Sequence, residues 1–204
     1  MRNADIDFAR FCFENRQYEK AKEIFLNNDM LYEAGFSSLL SGNQKGAKLI
    51  WKEVKDPCPA TGWGLIILDI LDEKSFVKGP GYFQTRAFFE VYLNLFIENK
   101  LYDWADSMIE SYKFFTRSNC EVPKFIARVL SFWGYAPLVH EFAEIAKKIC
   151  VFDPEIHFIE AEMFLAEEKY NQAYDAIKET LKVAPNYFPA MKMKAMLENS
   201  GFVL

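Results

Sequence analysis

Apolar residues recur three and four positions apart along most of the chain, the period of a helix that buries one face. Between Asp5 and Glu14 that face carries Ile6, Phe8, Ala9, Phe11, Cys12 and Phe13, and helical spacing resumes from Tyr18 to Leu26 after Asn15-Arg16-Gln17. These two segments predict a first helical hairpin. Leu31 to Leu40 is the next periodic stretch, and it ends at Ser41-Gly42-Asn43, where glycine can take the positive φ that stops a helix. Gln44 to Val54 follows with Ala47, Ile50, Trp51 and Val54 on one stripe, and Pro57 and Pro59 close this second hairpin.

Periodicity returns strongly further on. A long helix is predicted from Tyr82 to Glu98, followed by a helix carrying Tyr102, Ala105 and Ile109. Ile126 to Trp133 and Val139 to Ile149 form a weaker pair that ends at Asp153-Pro154, and His157 to Leu165 pairs with the helix starting at Tyr170. A last helix runs from about Phe188 to Asn199 and stops near Gly201. In the middle, GWGLIILDIL reads as a short buried helix, and Lys78-Gly79-Pro80-Gly81 reads as a loop.

One small-aromatic register repeats through these pairs. Tyr18, Ala21 and Phe25 set it; Ala47 and Trp51 repeat its last two positions, with Gln44 in place of the first. Tyr102, Ala105 and Ile109 carry it again, and so do Tyr170, Ala173 and Ile177, with Pro185 after them. The pattern resembles the tetratricopeptide repeat, a pair of antiparallel helices of about 34 residues in which a small residue lets the helices approach and aromatics fill the wedge beside it. Ala105 and Ala173 are 68 residues apart, two such units, whereas Ala21 and Ala47 are only 26 apart. Bulky Phe142 falls near the small position of the unit between.

The resemblance spans Asp5 to Pro59 and Phe89 to Pro185. It implies an all-α chain, a TPR-like α-solenoid of stacked antiparallel helix pairs with an irregular middle and a C-terminal capping helix. The expected segments are residues 1–59 and 89–187 as repeats, 60–88 as an irregular helix and loop connection, and 188–204 as capping helix and tail. A terminal repeat needs such a cap because its apolar side is otherwise left bare. Met191, Met193 and Met196 on the last helix fit either that role or an adaptable contact surface.

Composition narrows the function classes. Hydrophobic residues make up 51% of 204 residues, enough for a folded core, and the aromatic share of 17% supplies either wedges between layers or rings on a binding face. A net charge of -5 without long basic tracks argues against a nucleic-acid partner. No run of about 18 apolar residues is present, and MRNADIDFARFCF has neither the apolar stretch nor the cleavage site of a signal peptide, so no membrane insertion and a cytoplasmic location are expected. Cys12, Cys58, Cys120 and Cys150 are scattered and form no Cys-x-x-Cys pair; reduced, partly buried thiols are the simplest reading.

Catalytic and metal motifs are weak. His140 with Glu144, and His157 with Glu160 and Glu162, are small clusters that lack the second histidine of an HExxH site. Gly62-x-Gly64 and Gly79-Pro80-Gly81 lack the rest of a phosphate loop, and the Lys20-Lys22, Lys147-Lys148 and Lys192-Lys194 patches are interrupted by acids or apolar residues. No cofactor and no enzymatic activity are therefore expected. The first helices also lack the basic clamp with which some tetratricopeptide proteins hold a terminal carboxylate.

The expectation that follows from the resemblance is a noncatalytic protein-protein interaction module, acting as adaptor, scaffold or dedicated chaperone, with a peptide or helix of another protein in its concave face. The candidate partner-binding residues are Phe8, Cys12, Phe36, Leu40, Tyr92, Phe96, Val129, Trp133, Glu160 and Phe164, of which several must be core and at most about half touch a partner. In size and acidity the chain resembles bacterial secretion-system chaperones, although its extra amino-terminal hairpin and irregular middle depart from them. A self-assembling structural subunit of a larger complex is one alternative. A helical hydrolase or metal-dependent enzyme using Glu144, Glu160 or His157 is another.

Overall fold

One turn recurs wherever two helices are joined by only three residues. A residue at positive φ follows the helix end, and the next N–H reaches back five residues to a carbonyl of the last turn, so orphan helix-end groups are satisfied while the chain reverses. The computed structural model describes residues 2–54, 59–72, 82–116 and 119–202, all helices and connections, with no strand among them. They fall into two compact units, residues 1–78 and 79–204.

The first unit contains α1 (Arg2–Glu14), α2 (Tyr18–Asn27), α3 (Leu31–Leu40), α4 (Gln44–Lys52) and α5 (Pro59–Leu71). Arg16, Asp29 and Gly42 hold the left-handed positions, with φ of 59°, 60° and 87°. The N–H groups of Gln17, Met30 and Asn43 donate back to the carbonyls of Cys12, Phe25 and Ser38 at 2.8, 3.0 and 2.9 Å. These turns are spaced thirteen residues apart. Ala21, Ala34 and Ala47 keep the same spacing and are wholly buried, because each lies where its helix crosses a neighbour. The short Ala21 to Ala47 interval thus reflects helices of only nine or ten residues. Asn43 also caps α4, its Oδ1 accepting from the Gly46 N–H at 2.8 Å.

Trp51 is the pivot of this unit. Its indole is 2% exposed and donates to the Tyr32 carbonyl at 3.2 Å. The ring passes so close to α3 and α5 that a Cβ on Gly35 or Gly64 would lie 2.1 or 2.5 Å from it. GWGLIILDIL is helical as its pattern predicts, with Ile67, Leu68 and Ile70 buried, and Pro59 opens α5, where its missing N–H costs nothing. Pro57 and the Lys78 to Gly81 loop lie outside the described residues.

The second unit begins with α6 (Tyr82–Ala87), a π turn (Phe88–Tyr92) and α7 (Leu93–Glu98) where the sequence predicted one regular helix. A regular helix points neighbours about 100° apart. The wider turn accommodates Phe88 and Phe89 together in the core, each with its ring centroid 5.3 Å from that of Phe115. Then come α8 (Tyr102–Glu110), the single turn α9 (Tyr112–Phe115), α10 (Val122–Phe132), α11 (Ala136–Ile149), α12 (Pro154–Ala166), α13 (Tyr170–Val183) and α14 (Phe188–Ser200). Lys100, Gly134 and Glu168 take the left-handed position, with φ of 60°, 75° and 60°, at intervals of 34 residues. Leu101, Tyr135 and Lys169 donate back to Phe96, Leu130 and Phe164 at 2.9, 3.0 and 2.8 Å.

That spacing corrects one sequence reading. The position equivalent to Ala105 and Ala173 is Val139, wholly buried, and not Phe142. The turn at Gly134 fixes the register, and Phe142 instead fills the wedge against Tyr112, edge-on at 5.1 Å. Asp153 caps α12 through the Glu155 N–H, 3.0 Å away, and Pro154 occupies the first helical position. Ala190 and Leu197 of α14 are buried with Ala173, Ile177 and Phe158, so the last helix covers that cluster. Its other side leaves Phe188, Met191 and Met196 exposed.

Two outcomes are expected. Gly35→Ala forces the Trp51 ring aside and lowers the stability of the first unit by about 2–3 kcal/mol, as overpacked cores do, measured by urea unfolding followed by circular dichroism. At the turns the same geometry gives opposite signs: Gly134→Ala costs about 1 kcal/mol, while Glu168→Gly relieves a side chain held at positive φ and adds up to about 1 kcal/mol.

Candidate functional site

The structure divides the ten predicted partner-binding residues by depth. Cys12, Phe36 and Leu40 are buried in the first unit, and Phe96, Val129 and Glu160 in the second, so within this fold these six pack against their own chain. Tyr92 and Phe164 are half-buried. Phe8 is exposed, stacked on exposed Phe11, with the Lys20 ammonium 4.6 Å from its ring centre. Trp133 is exposed at its edge, and its indole N–H donates to Asn94 Oδ1 at 2.7 Å. Phe164 lies under the His140 ring, centroids 4.5 Å apart, and His140 Nε2 is 2.9 Å from Glu167 Oε2. His140 thus pairs across to the end of α12 and not with Glu144 on its own helix.

The first helices of the second unit carry a ladder of alternating charge. Arg86 Nε donates to Glu90 at 2.8 Å, Glu90 also holds Arg128, and the other arm of that guanidinium holds Glu155. Lys124 Nζ then lies 3.3 Å from Glu155, 2.6 Å from Asp153 and 2.8 Å from Glu121. Burial alone would lower the Lys124 ammonium, but the hydrogen bonds to Asp153 and Glu121 and the charge of Glu155 outweigh it and hold the group well above the ordinary lysine value. Arg86 and Arg128 also lie 5.7 and 6.0 Å from the centre of the buried Phe125 ring. Each carboxylate of the ladder faces a cation, so its part is to stitch the π turn to α10 and α12.

A second cluster joins α11 to α12. Lys147 reaches Glu144 on its own helix and Glu160 Oε2 at 3.0 Å, which explains how the Glu160 side chain can be only 8% exposed. Of the residues named for an enzymatic alternative, Glu144 and Glu160 are thus joined through Lys147. A lysine stands between the two carboxylates. The Lys147 hydrogen bond holds the Glu144 carboxyl below its ordinary value, and the two carboxylates raise Lys147 against the opposing effect of burial. Among the described residues no group of three or more histidine, cysteine, aspartate or glutamate side chains is arranged to hold a metal ion.

Residues of α7, α8, α10 and α11 and the turn before α11 form an open apolar cleft of about 350 Å³. Ile97, Ala105 and Leu130 make its buried floor, Ile109 and Leu138 its walls, and Tyr102, Tyr135 and Asp106 its rim. Both phenols are substantially exposed. Partial burial, with the Tyr102 phenol and the Asp106 carboxylate alongside, holds the Tyr135 hydroxyl above the ordinary tyrosine value. No candidate from the sequence lies in this cleft. The 34-residue register would have found it once placed on Val139, because it sets Tyr135 beside the position equivalent to Tyr102.

No family model, curated protein or solved structure matches this chain. Among the described residues no helix is long and apolar enough to cross a membrane.

The Lys147 cluster gives a pH signature. A carboxyl lowered by folding stabilises above its ordinary value and loses that contribution as pH falls through the lowered one; a raised lysine stabilises below its ordinary value and loses it as pH rises through the raised one. Lys147→Met leaves Glu160 buried without its cation and costs about 2–3 kcal/mol. In melting curves across pH, the gap between wild type and variant is widest between the ordinary values of 4.5 and 10.5 and narrows below and above them.

Proposed function

We propose that the chain is a noncatalytic protein-binding module of TPR-like helix pairs, acting as adaptor, scaffold or dedicated chaperone in the cytoplasm, and that its second unit receives an apolar side chain of a partner polypeptide. The observation that carries this reading is the cleft between α8 and α11: an apolar floor under a rim of exposed tyrosines, with a volume of about 350 Å³. Tyrosine loses little side-chain entropy on ordering and offers both an apolar ring and a hydroxyl, which is why it dominates binding hot spots. Asp106 at the rim favours a lysine or arginine beside the inserted side chain. The proposed groove is the one lined by α7, α8, α10 and α11, and of the sequence candidates Trp133 and Phe8 are exposed.

Self-assembly is a second reading, favoured by Phe132, Phe152 and Phe188, which are 78, 84 and 72% exposed. Size-exclusion light scattering separates the two. A monomer of 23.8 kDa at micromolar concentration fits the partner-binding reading, and a concentration-independent multiple of that mass fits self-assembly.

The cleft itself is tested with a displayed library of random dodecapeptides. Enriched peptides should share a large apolar residue next to a basic one, and Leu138→Asp, which puts a charge on the cleft wall, should weaken them at least about tenfold while leaving the melting temperature close to wild type. Peptides that bind Leu138→Asp as well as wild type would place the binding surface elsewhere.

A further inference from the structure

We propose that Cys120 and Cys150 are a modification site, a thiol pair that a peroxide-class oxidant closes into a reversible disulfide. The two residues are far apart in sequence, but the turn before α10 and the end of α11 bring their sulfurs to 3.5 Å. Cys150 Sγ also lies 3.9 Å from the Cys120 carbonyl oxygen. Both are free thiols, Cys120 exposed and Cys150 half-buried, and neither belongs to the cleft or to the charged ladder.

Exposure and position assign the two roles. A peroxide reaches Cys120 first: its sulfur gains one oxygen to become a sulfenic acid, and the peroxide leaves as water. The Cys150 sulfur then attacks the sulfenic sulfur, the S–O bond breaks, the S–S bond forms, and the oxygen departs with the two protons as a second water. The two thiols together give up two electrons, and one peroxide accepts them. Burial, with the Cys120 thiol, Asp153 and Glu121 nearby, pushes the Cys150 thiol up to about 11, so a peroxide meets little Cys150 thiolate and the exposed Cys120 is the first to react.

The bridge would span α10 and α11 and tie the start of α10 to the loop that follows α11. That loop carries exposed Val151 and Phe152 and leads into Asp153, the partner of Lys124. Oxidation would thus fix the approach to α12 without touching the helix faces.

The test treats the full-length protein with hydrogen peroxide, blocks remaining thiols with N-ethylmaleimide, and reads intact mass and a non-reducing peptide map. The expected result is a monomer about 2 Da lighter than the reduced protein before blocking, with one Cys120–Cys150 cross-linked peptide that disappears after dithiothreitol. Cys120→Ser and Cys150→Ser, each checked by circular dichroism to be folded, should give no cross-link. A map in which both cysteines are alkylated after oxidation, in which Cys120 stops at a sulfenic or sulfinic acid, or in which another pair of cysteines is joined would overturn the proposal.

Discussion

The structure depends on a backbone reversal that any residue can make at some cost and glycine makes freely. One residue at positive φ and one hydrogen bond back across five residues close the end of a helix and start the next within three residues. Because this turn is nearly invariant, the spacing between turns sets helix length, and helix length sets which residues meet at each crossing. Thirteen-residue intervals bury Ala21, Ala34 and Ala47 at the same step after each turn, and 34-residue intervals do the same for Ala105, Val139 and Ala173. Arg16, Asp29, Lys100 and Glu168 make the turn without glycine. Packing on either side evidently over-determines these positions, since an isolated residue would resist them.

Charge has a secondary and more local part. The ladder from Arg86 to Asp153 and the Lys147 cluster both lie where neighbouring helices must keep register, and both place a cation between carboxylates. Such pairs add little net stability over apolar packing. They resist sliding, however, because a shift of one helical turn leaves a buried charge without its partner.

Much of this was legible in the chain. The helices, the small-residue positions on α2, α4, α8 and α13, the burial of Ile67, Leu68 and Ile70 in α5 and the end at Gly201 all follow from periodicity and turn chemistry, which are local. The misses share one origin. Residue type alone leaves the small position of the middle unit unassigned, with Phe142 near it; the turn at Gly134 carries the register by geometry and selects Val139. The π turn escaped because Phe88-Phe89 inside an apolar run has the composition of a regular helix. Glu90 with Arg128 and Cys120 with Cys150 meet only after helices pack, and no local periodicity joins them; Tyr102 with Tyr135 becomes legible only once the turn at Gly134 sets the register. Candidate partner residues taken from the first helices divided by depth for the same reason: one strip of a helix holds both core and surface, and only packing separates them.

The π turn also makes chain length itself a functional variable at Phe88–Tyr92. It holds a residue in excess of a regular helix, so the stretches on either side of it are out of phase by about one residue, or about 100°. Losing any one residue there would bring the two stretches into phase and swing one of them around its axis, taking either the phenylalanines from the core or Glu90 from its arginines. A substitution is absorbed where it occurs, whereas a change of length is transmitted along the whole rod. The segment therefore behaves as a counted spacer, and descendants of this sequence are free to vary its side chains far more than its number of residues.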